Sequence, residues 1–295
     1  VVLNYTHAYA SFAIKAAICP DVPHNEGSFR PVHVTAPAGS IMNALDPAPV
    51  ASRQVIGHFI PSAIYAALSG ALPGRLMAPG ADPIWLSVWR GQNPPFTLTI
   101  FQVGGTGARP SKDGLSAVGF PSGVAGVPAE VIESLSPVVL KKRQLRPDSG
   151  GAGKWRGGLG QLTEFSRRGE GKWSVSSIAD RTVYPAPGLV GGSTGAAGEL
   201  LISNGLRPNP KALVDLDNSD VVHVNLPGGG GYGSPFQRDP EKVRWDVVEG
   251  YITPEAAEKD YGVSVQYTGE PDALVKLPGD WVIDEARTAE LRKNV

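Results

Sequence analysis

The chain has 295 residues, of which 41% are hydrophobic, so it is long enough to bury a large core and is not a disordered segment. Its 27 Lys and Arg residues are balanced by 28 Asp and Glu, which leaves no strong positive field for nucleic acid or an anionic membrane. The 37 Gly and 27 Pro residues follow no collagen-like period and predict many tight turns.

The first third of the chain, residues 1–80, is predicted to mix helices with a strand. Apolar residues recur there at helical spacing, then at alternating spacing, then at helical spacing again. Pro20 ends the first helical pattern. The predicted elements are a helix from His7 to Ile18, a strand through Val32 and Val34, and a long helix from Val50 to Leu72.

The middle of the chain, residues 81–236, is predicted to be rich in strands joined by glycine-rich loops, a pattern typical of a sandwich or barrel-like unit. Residues 237–295 form a predicted helical C-terminal arm, with helices from Glu241 to Glu249, from Thr253 onward and from Asp284 to Arg292. The predicted fold class is therefore α+β. The strand candidates are Trp85 to Trp89, Phe96 to Val103, Val131 to Leu145, Gln161 to Ser166, Trp173 to Ile178, Glu199 to Ser203 and Asp220 to Asn225.

Cysteine content and hydropathy predict a cytoplasmic protein. Cys19 is the single cysteine, so the chain cannot form an internal disulfide. The sequence has no run of about 18 apolar residues that would span a membrane, and its N-terminus lacks a signal-peptide pattern. Because the chain opens at Val1 without a methionine and almost inside its first element, we expect this to be a cut end.

Three short segments match functional motifs by letter but not by context. The segment 148–155 lacks the first glycine and the hydroxyl group of a phosphate-binding loop, since Asp148 and Trp155 occupy those positions. The segment 228–233 has dinucleotide-binding spacing, but turn residues rather than a helix follow it. The segment 191–195 matches a nucleophile elbow, but glycines and prolines surround it. We therefore predict none of these three sites.

The histidines show no metal-binding pattern. None of the five lies three or four residues from another, so no complete metal site is predicted within this chain. His24 lies in a predicted loop beside Asn25 and is the best candidate to complete a site built elsewhere, although a surface loop histidine is the simpler interpretation.

Glycine-rich loops are the most informative feature of the sequence. In the segment 148–160, closely spaced glycines surround Asp148, Lys154 and Arg156, whose charges can orient a ligand. A structural turn in which Asp148 pairs with Arg156 or Lys154 fits the same pattern equally well. Glycine at this density indicates that the backbone passes close to another strand or to a ligand. Four such segments occur, at residues 104–107, 149–160, 191–198 and 228–233.

Four segments of the sequence resemble the hydantoinase B/oxoprolinase family, which includes N-methylhydantoinase and 5-oxoprolinase subunits and relatives among the acetone and acetophenone carboxylases. The segments occur in order across nearly the whole chain, so the resemblance is specific. They are HNEGSFRPVHVTAPAGS (24–40), GGTGARPSKDG (104–114), DSGGAGKWRGGLG (148–160) and GGGGYGSPFQRDPEKVRWDVVEGYITPEAAEKDYGV (228–263).

The resemblance implies that this chain is the C-terminal half of the B-type subunit of an ATP-dependent cyclic-amide hydrolase. It implies a hetero-oligomer in which an A-type subunit holds ATP and Mg²⁺. The missing N-terminal half of the same subunit would hold any divalent metal, Zn or Mn. From loop composition and spacing we expect Asp148, Lys154 and Arg156 to be catalytic, and Asn25, Arg30, Gly104, Gly105 and Arg181 to bind the substrate.

Two other functions stay open from the sequence. The first is a subunit of a biotin-independent carboxylase, which would consume ATP and bicarbonate together with a ketone. The second is a noncatalytic scaffold that docks the partner subunit and closes its site. In a scaffold the glycine loops would be purely architectural, and the polar residues named above would tolerate alanine.

Overall fold

The structure is a computed structural model that describes residues 1–293. Helices and antiparallel strands combine in an α+β arrangement, which confirms the predicted fold class. No helix in the described part is long and apolar enough to cross a membrane. The helices are α1 (Leu3–Ile18), α2 (Glu26–Phe29), α3 (Arg53–Gly57), α4 (Phe59–Leu68), α5 (Ala129–Leu135), α6 (Pro240–Val248), α7 (Pro254–Tyr261) and α8 (Glu285–Arg292). The strands are β1 (Trp85–Gly91), β2 (Phe96–Gln102), β3 (Val138–Leu145), β4 (Gln161–Arg167), β5 (Trp173–Ile178), β6 (Glu199–Ile202), β7 (Leu213–Leu216), β8 (Val222–Asn225), β9 (Val265–Tyr267) and β10 (Trp281–Ile283).

Two four-stranded antiparallel sheets enclose the main hydrophobic core. The first has the strand order β2-β1-β5-β7 and the second has the order β3-β4-β8-β6. Trp89 of β1 is fully buried at the centre, and its ring lies 4.9 Å from Phe165 of the second sheet and 5.6 Å from Trp173 of its own sheet. Such tilted and stacked aromatic contacts add to the free energy gained by burying large rings. Of the two predicted architectures, the sheets form the sandwich rather than the barrel.

Two smaller hydrophobic clusters lie outside the sandwich. Helices α1 and α4 pack together around Ala13 and Tyr65, and Phe120 from the middle of the chain joins them. The C-terminal arm has its own cluster around Val243 of α6, which includes Ala152 from the segment 149–160. Each cluster therefore joins residues from both sides of a predicted boundary, at residue 80 or at residue 236. The boundaries themselves stay a prediction.

The two longest predicted elements are each divided near a proline. The helix predicted from Val50 to Leu72 is interrupted at His58, and α4 then begins so that Pro61 falls in its first turn, where no backbone N–H donor is required. The strand predicted from Val131 to Leu145 is wrong in its first half, which forms α5. Pro137 separates this helix from β3.

Short strands account for the other differences. The strand predicted through Val32 and Val34 is absent from the described structure, because this stretch has no neighbouring strand with which to form a hydrogen-bonded ladder. Strands β7, β9 and β10, of three or four residues each, were not predicted from the sequence. The C-terminal arm therefore contains the antiparallel pair β9 and β10 besides its helices.

The four glycine-rich segments meet in one place, which we call the glycine core (residues 104–107, 149–160, 191–198 and 228–233). Main-chain hydrogen bonds join one segment directly to the next. Gly158 N donates to Thr106 O at 2.8 Å, and Gly229 N donates to Gly158 O at 2.9 Å. Gly231 N donates to Ser193 O at 2.9 Å. The segments adjoin the ends of β2, β4, β6 and β8, so the glycine core closes one end of the sandwich.

Close packing of main chain against main chain explains why glycine is required here. A Cβ atom at Gly158 would collide with Leu115 O, and one at Gly229 would collide with Thr106 O. Backbone atoms cannot rotate away as a flexible side chain can. Of the two interpretations that the sequence left open, approach to another stretch of backbone is therefore the one that the structure shows for these loops.

We expect Gly158→Ala to lower the free energy of unfolding by about 3 kcal/mol, because the added methyl group must displace main-chain atoms of two neighbouring segments. Gly126→Ala is the matched control, since no atom lies within 4 Å of a Cβ built at that position. Urea denaturation followed by tryptophan fluorescence measures both variants. Equal stability of the two variants would show that the glycine core accommodates side chains.

Candidate functional site

An open cleft of about 560 Å³ lies between α1, α3 and the outward face of the first sheet. Tyr5 and Tyr9, one helical turn apart on α1, line one wall, and their hydroxyl oxygens are 3.3 Å apart. The guanidinium group of Arg53 lies over the Tyr5 ring, 5.6 Å from its centroid. Leu86 and Val88 of β1 supply an apolar wall. A cleft of this volume, with a few polar groups beside apolar ones, suits a small organic molecule.

The polar wall of the cleft is fixed by local packing. Gly57, the last residue of α3, leaves room for the Tyr5 ring, because a Cβ atom there would collide with that ring. Burial, together with the hydrogen bond that Tyr9 shares with Tyr5, raises the pKa of Tyr9 well above its ordinary value. The Tyr9 phenol therefore stays protonated at neutral pH and acts through hydrogen bonds rather than as a base.

His58 connects α3 to α4 and lines the same cleft. It is only 1% exposed, and its ring lies 5.8 Å from the Tyr9 ring. Burial lowers the pKa of His58, which keeps the imidazole neutral at pH 7. Ile84 N donates a long hydrogen bond of 3.5 Å to His58 Nδ1. A neutral imidazole that accepts at Nδ1 carries its proton on Nε2 and is a hydrogen-bond donor there.

A buried carboxyl group lies close to His58. Asp82 is 3% exposed, and it accepts a hydrogen bond from the Ser62 hydroxyl of α4. Burial raises the pKa of Asp82 to about 6, against opposing effects of Ser62 and Arg181. A carboxyl group with such a pKa can exchange a proton near neutral pH, as acid–base groups in enzymes do. Ile84 lines both the cleft and the small cavity beside Asp82.

Three of the predicted substrate-binding residues lie around Asp82. Gly104 and Gly105 line the small cavity beside Asp82, which has a volume of only about 10 Å³. Arg181 Nε donates to the backbone oxygen of Asp82 at 3.0 Å, and the Arg181 guanidinium group lies over the Phe59 ring at 4.9 Å. A cavity of this size holds a water molecule but not a ring. The substrate-binding role of these three residues stays a prediction.

Arg156 belongs to a buried ionic cluster that also contains Asp113, Arg238 and Asp246. Arg238 donates to the two carboxylate oxygens of Asp113 at 2.7 and 2.9 Å, and to Asp246 at 2.8 Å. Arg156 Nε lies 3.4 Å from Asp246 Oδ2. Although burial opposes it, Arg238 lowers the pKa of Asp113. Two positive and two negative side chains thus balance one another where the glycine core meets α6.

Asp148 and Lys154, the other predicted catalytic residues, also contact the C-terminal arm. Asp148 has a positive φ of 58°, and its Oδ1 accepts a hydrogen bond from Thr253 N at 2.8 Å. Lys154 has an exposed side chain, and its backbone oxygen accepts from Arg238 at 3.2 Å. Asp148 pairs with neither Lys154 nor Arg156 in the described structure. The catalytic role of Asp148, Lys154 and Arg156 stays a prediction.

Asn25 and Arg30 lie at the two ends of the short helix α2 on the protein surface. Asn25 caps the helix, because its side chain accepts a hydrogen bond from Ser28 N at 3.0 Å. Arg30 is the exposed C-terminal cap. His24 is exposed beside them, with its ring 5.6 Å from Phe29. Substrate binding by Asn25 and Arg30 stays a prediction.

The described residues offer few groups that could hold a metal ion or a nucleotide phosphate. No three His, Cys, Asp or Glu side chains of residues 1–293 gather as metal ligands would. Several amides of the glycine core already donate to other main-chain oxygens, as Gly151 N does to Gly229 O at 2.8 Å and Gly157 N does to Gly151 O at 2.9 Å. These amides are not available to hold a phosphate group.

No motif marks the residues that line the cleft and surround Asp82. Two weak signals were present in the sequence. Tyr5 and Tyr9 are spaced to share one face of a helix, and Ser62 is a hydroxyl group within the apolar stretch that forms α4. The proximity of Arg53 to Tyr5 and the burial of Asp82 depend on tertiary packing, which local sequence does not report.

We expect the stability contribution of Asp82 to fall as the pH rises. Because its folded pKa of about 6 exceeds its ordinary value of 3.8, the folded chain keeps a proton that the unfolded chain releases. The contribution is full below about pH 4 and is lost through pH 6, by up to about 3 kcal/mol. Asp82→Asn removes this dependence, which urea denaturation across the pH range measures. Parallel curves for the two proteins would contradict the expectation.

We expect Arg238→Gln to lower the free energy of unfolding by about 3 kcal/mol, because it removes a buried cation that is hydrogen-bonded both to the partly exposed carboxylate of Asp113 and to the buried carboxylate of Asp246. Arg287→Gln is the matched control, since its ion pairs with Glu258 and Glu290 are exposed and should matter little. Thermal and urea unfolding measure both. Similar losses in the two variants would show that the ionic cluster stabilises the fold no more than exposed ion pairs do.

Comparison with known proteins adds independent support. The hydantoinase B/oxoprolinase family model matches residues 1–235. A protein of Methanocaldococcus jannaschii is 36% identical over 296 residues, which cover 99% of this chain and 50% of that protein. The inferred B-type subunit of a D-/L-hydantoinase from Pseudomonas sp. strain NS671 is 32% identical over 292 residues, which cover 96% of this chain and 47% of that protein. This chain therefore spans about half the length of these curated relatives.

A solved structure shares the fold. The ATP-dependent caprolactamase from Pseudomonas jessenii matches with a TM-score of 0.80 and 24% identity, over 97% of this chain and 50% of the caprolactamase chain. The family match covers both sheets, the cleft and the whole glycine core. The resemblance to the family is thus confirmed, and the chain belongs to the hydantoinase B/oxoprolinase family.

Proposed function

We propose that this chain is the C-terminal half of a B-type subunit of an ATP-dependent cyclic-amide hydrolase. It acts together with an N-terminal half of the same subunit and with an A-type subunit that holds ATP and Mg²⁺. The observation that supports this most directly is the 32% identity with the inferred B-type hydantoinase subunit, which extends over 96% of this chain. The fold shared with caprolactamase is consistent with it.

In this proposal the cleft beside α1 binds the cyclic amide. Such a ring contains a planar amide group and presents a carbonyl oxygen as a hydrogen-bond acceptor. One hydroxyl group of the Tyr5 and Tyr9 pair already donates to the other, so the pair offers one donor to the ring. The guanidinium group of Arg53 offers further donors, and Leu86 offers an apolar surface. Negative charge that develops on the amide oxygen during ring opening is stabilised by the positive charge of Arg53. The neutral His58 adds a further donor.

Two observations favour other functions. An acetone carboxylase alpha subunit is among the relatives, which favours the ketone carboxylase reaction with ATP and bicarbonate. The packing of the glycine core on itself, and the attachment of Asp148 and Arg156 to the C-terminal arm, favour a scaffold. A noncatalytic scaffold would not need a cleft of ligand size that is lined by tyrosine, arginine and histidine side chains, whereas a carboxylase could bind its ketone there.

Reconstitution with both companion polypeptides tests the proposal. The complex is incubated with ATP and hydantoin, 5-oxoproline or caprolactam, and the ring-opened product and ADP are measured. ATP-dependent ring opening without bicarbonate supports the hydrolase. Turnover that requires bicarbonate and a ketone would instead establish the carboxylase. The absence of any turnover that requires this chain would leave the scaffold.

We expect Arg53→Gln and His58→Phe to lower kcat/KM of this complex by at least about tenfold, because the first removes the positive charge of the cleft and the second removes the imidazole donor. Arg90→Gln is the matched control, since this exposed arginine lies on β1 away from the cleft lining. Lys154→Ala is assayed beside them, and unchanged turnover would remove Lys154 from the predicted catalytic residues. If both cleft variants keep full kcat/KM, the substrate does not bind in the cleft.

A further inference from the structure

A second pocket lies farther along the same face of α1. Tyr5, Tyr9, Phe12 and Ala16 follow one another at helical spacing and form a stripe on this helix. The two tyrosines line the cleft, whereas Phe12 and Ala16 line a separate pocket of about 300 Å³. The Phe12 and Phe120 rings are 6.2 Å apart, and both belong to this pocket. Its lining is mostly apolar and includes both phenylalanine rings.

Two arginines interrupt the apolar lining of this pocket. Arg75 Nη2 donates to Ile18 O at 3.1 Å, and Arg109 Nη2 donates to Asp113 O at 2.9 Å. Each guanidinium group is thus anchored by a backbone carbonyl, which brings no neutralising charge. Within residues 1–293, neither arginine has a carboxylate at ion-pair distance. The pocket therefore carries uncompensated positive charge beside aromatic rings.

Arg109 also has an unsatisfied donor. Its Nε atom is buried and has no hydrogen-bond partner among the described residues. A buried N–H group without an acceptor costs free energy, and the cost is larger for a charged group. Because this N–H group is closed to the pocket, a ligand would act on the positive charge of the Arg109 guanidinium group as a whole and not on Nε. Because Arg75 lines the same pocket, an acceptor with full negative charge would be favoured over a neutral one.

We propose that this pocket binds a small monoanion with an apolar body, such as an aromatic carboxylate. The carboxylate accepts hydrogen bonds from Arg109 and Arg75, and the ring packs against Phe12, Tyr65 and Phe120. Inorganic phosphate or sulfate would meet the charge but would lose its hydration against the apolar walls. The inference does not rest on the proposed enzyme reaction, since it concerns binding to this chain alone.

Benzoate and benzamide are matched probes for this site, because they share the ring and differ in charge. We expect isothermal titration of the protein to show one benzoate site with a Kd of about 1 mM, as is usual for so small a ligand. Benzamide should bind at least about tenfold more weakly. Equal affinity for the two probes, or no benzoate binding up to about 20 mM, would overturn the proposal.

Three variants locate the site. Arg109→Gln and Arg75→Gln each remove one positive charge and should weaken benzoate binding by about tenfold. Ala16→Leu removes no charge but fills the pocket, and it should abolish binding. Arg90→Gln is the control for loss of positive charge and should bind benzoate as the unmodified protein does. Arg75 is exposed, so its variant tests the proposal even if Arg109→Gln folds poorly. Unchanged binding in Arg75→Gln and Ala16→Leu would overturn it.

Discussion

Direct contact between stretches of main chain is the constraint on which this structure depends. In the glycine core, Gly158 donates to Thr106 and accepts from Gly229, so one residue ties three separate segments together. These segments adjoin strands of both sheets. The relative position of the sheets is therefore set at this end by backbone hydrogen bonds at fixed distances, whereas in the sandwich itself it is set by the packing of large side chains such as Trp89.

The same constraint positions the candidate site. Ala81 N donates to Gly105 O at 2.8 Å, which fixes the start of the turn that carries Asp82 and leads into β1. Ile84 follows and bonds to His58, which in turn lines the cleft. The cleft thus inherits its geometry from the glycine core through only a few residues of rigid chain. Catalytic groups that must be held precisely are commonly supported in this way.

Local sequence was sufficient for most elements and insufficient for the site. Periodicity predicted α1 and most strands of the sandwich, because both depend on near neighbours. Arg238 and Asp113 form an ion pair although they lie 125 positions apart in the chain, so a pattern of nearby residues cannot predict it. The density of glycines predicted that the backbone approaches another group closely. It did not predict whether that group is another stretch of backbone or a ligand, because both require a residue without a Cβ atom. The acidity of Asp82 likewise depends on burial that only the fold creates.

Glycine as a packing element has a consequence for how mutational maps of this family are interpreted. Where a core consists of side chains, a smaller substitute leaves a hole and a neighbour can relax into it. Where it consists of bare peptide, every replacement adds volume, and at positions such as Gly158 the neighbouring main chain leaves no room for it. Intolerance to substitution at these glycines therefore reports on assembly of the polypeptide, whatever part the segments take in the reaction. A screen that ranks positions by lost activity alone would not separate residues that assemble the fold from residues that act on the substrate.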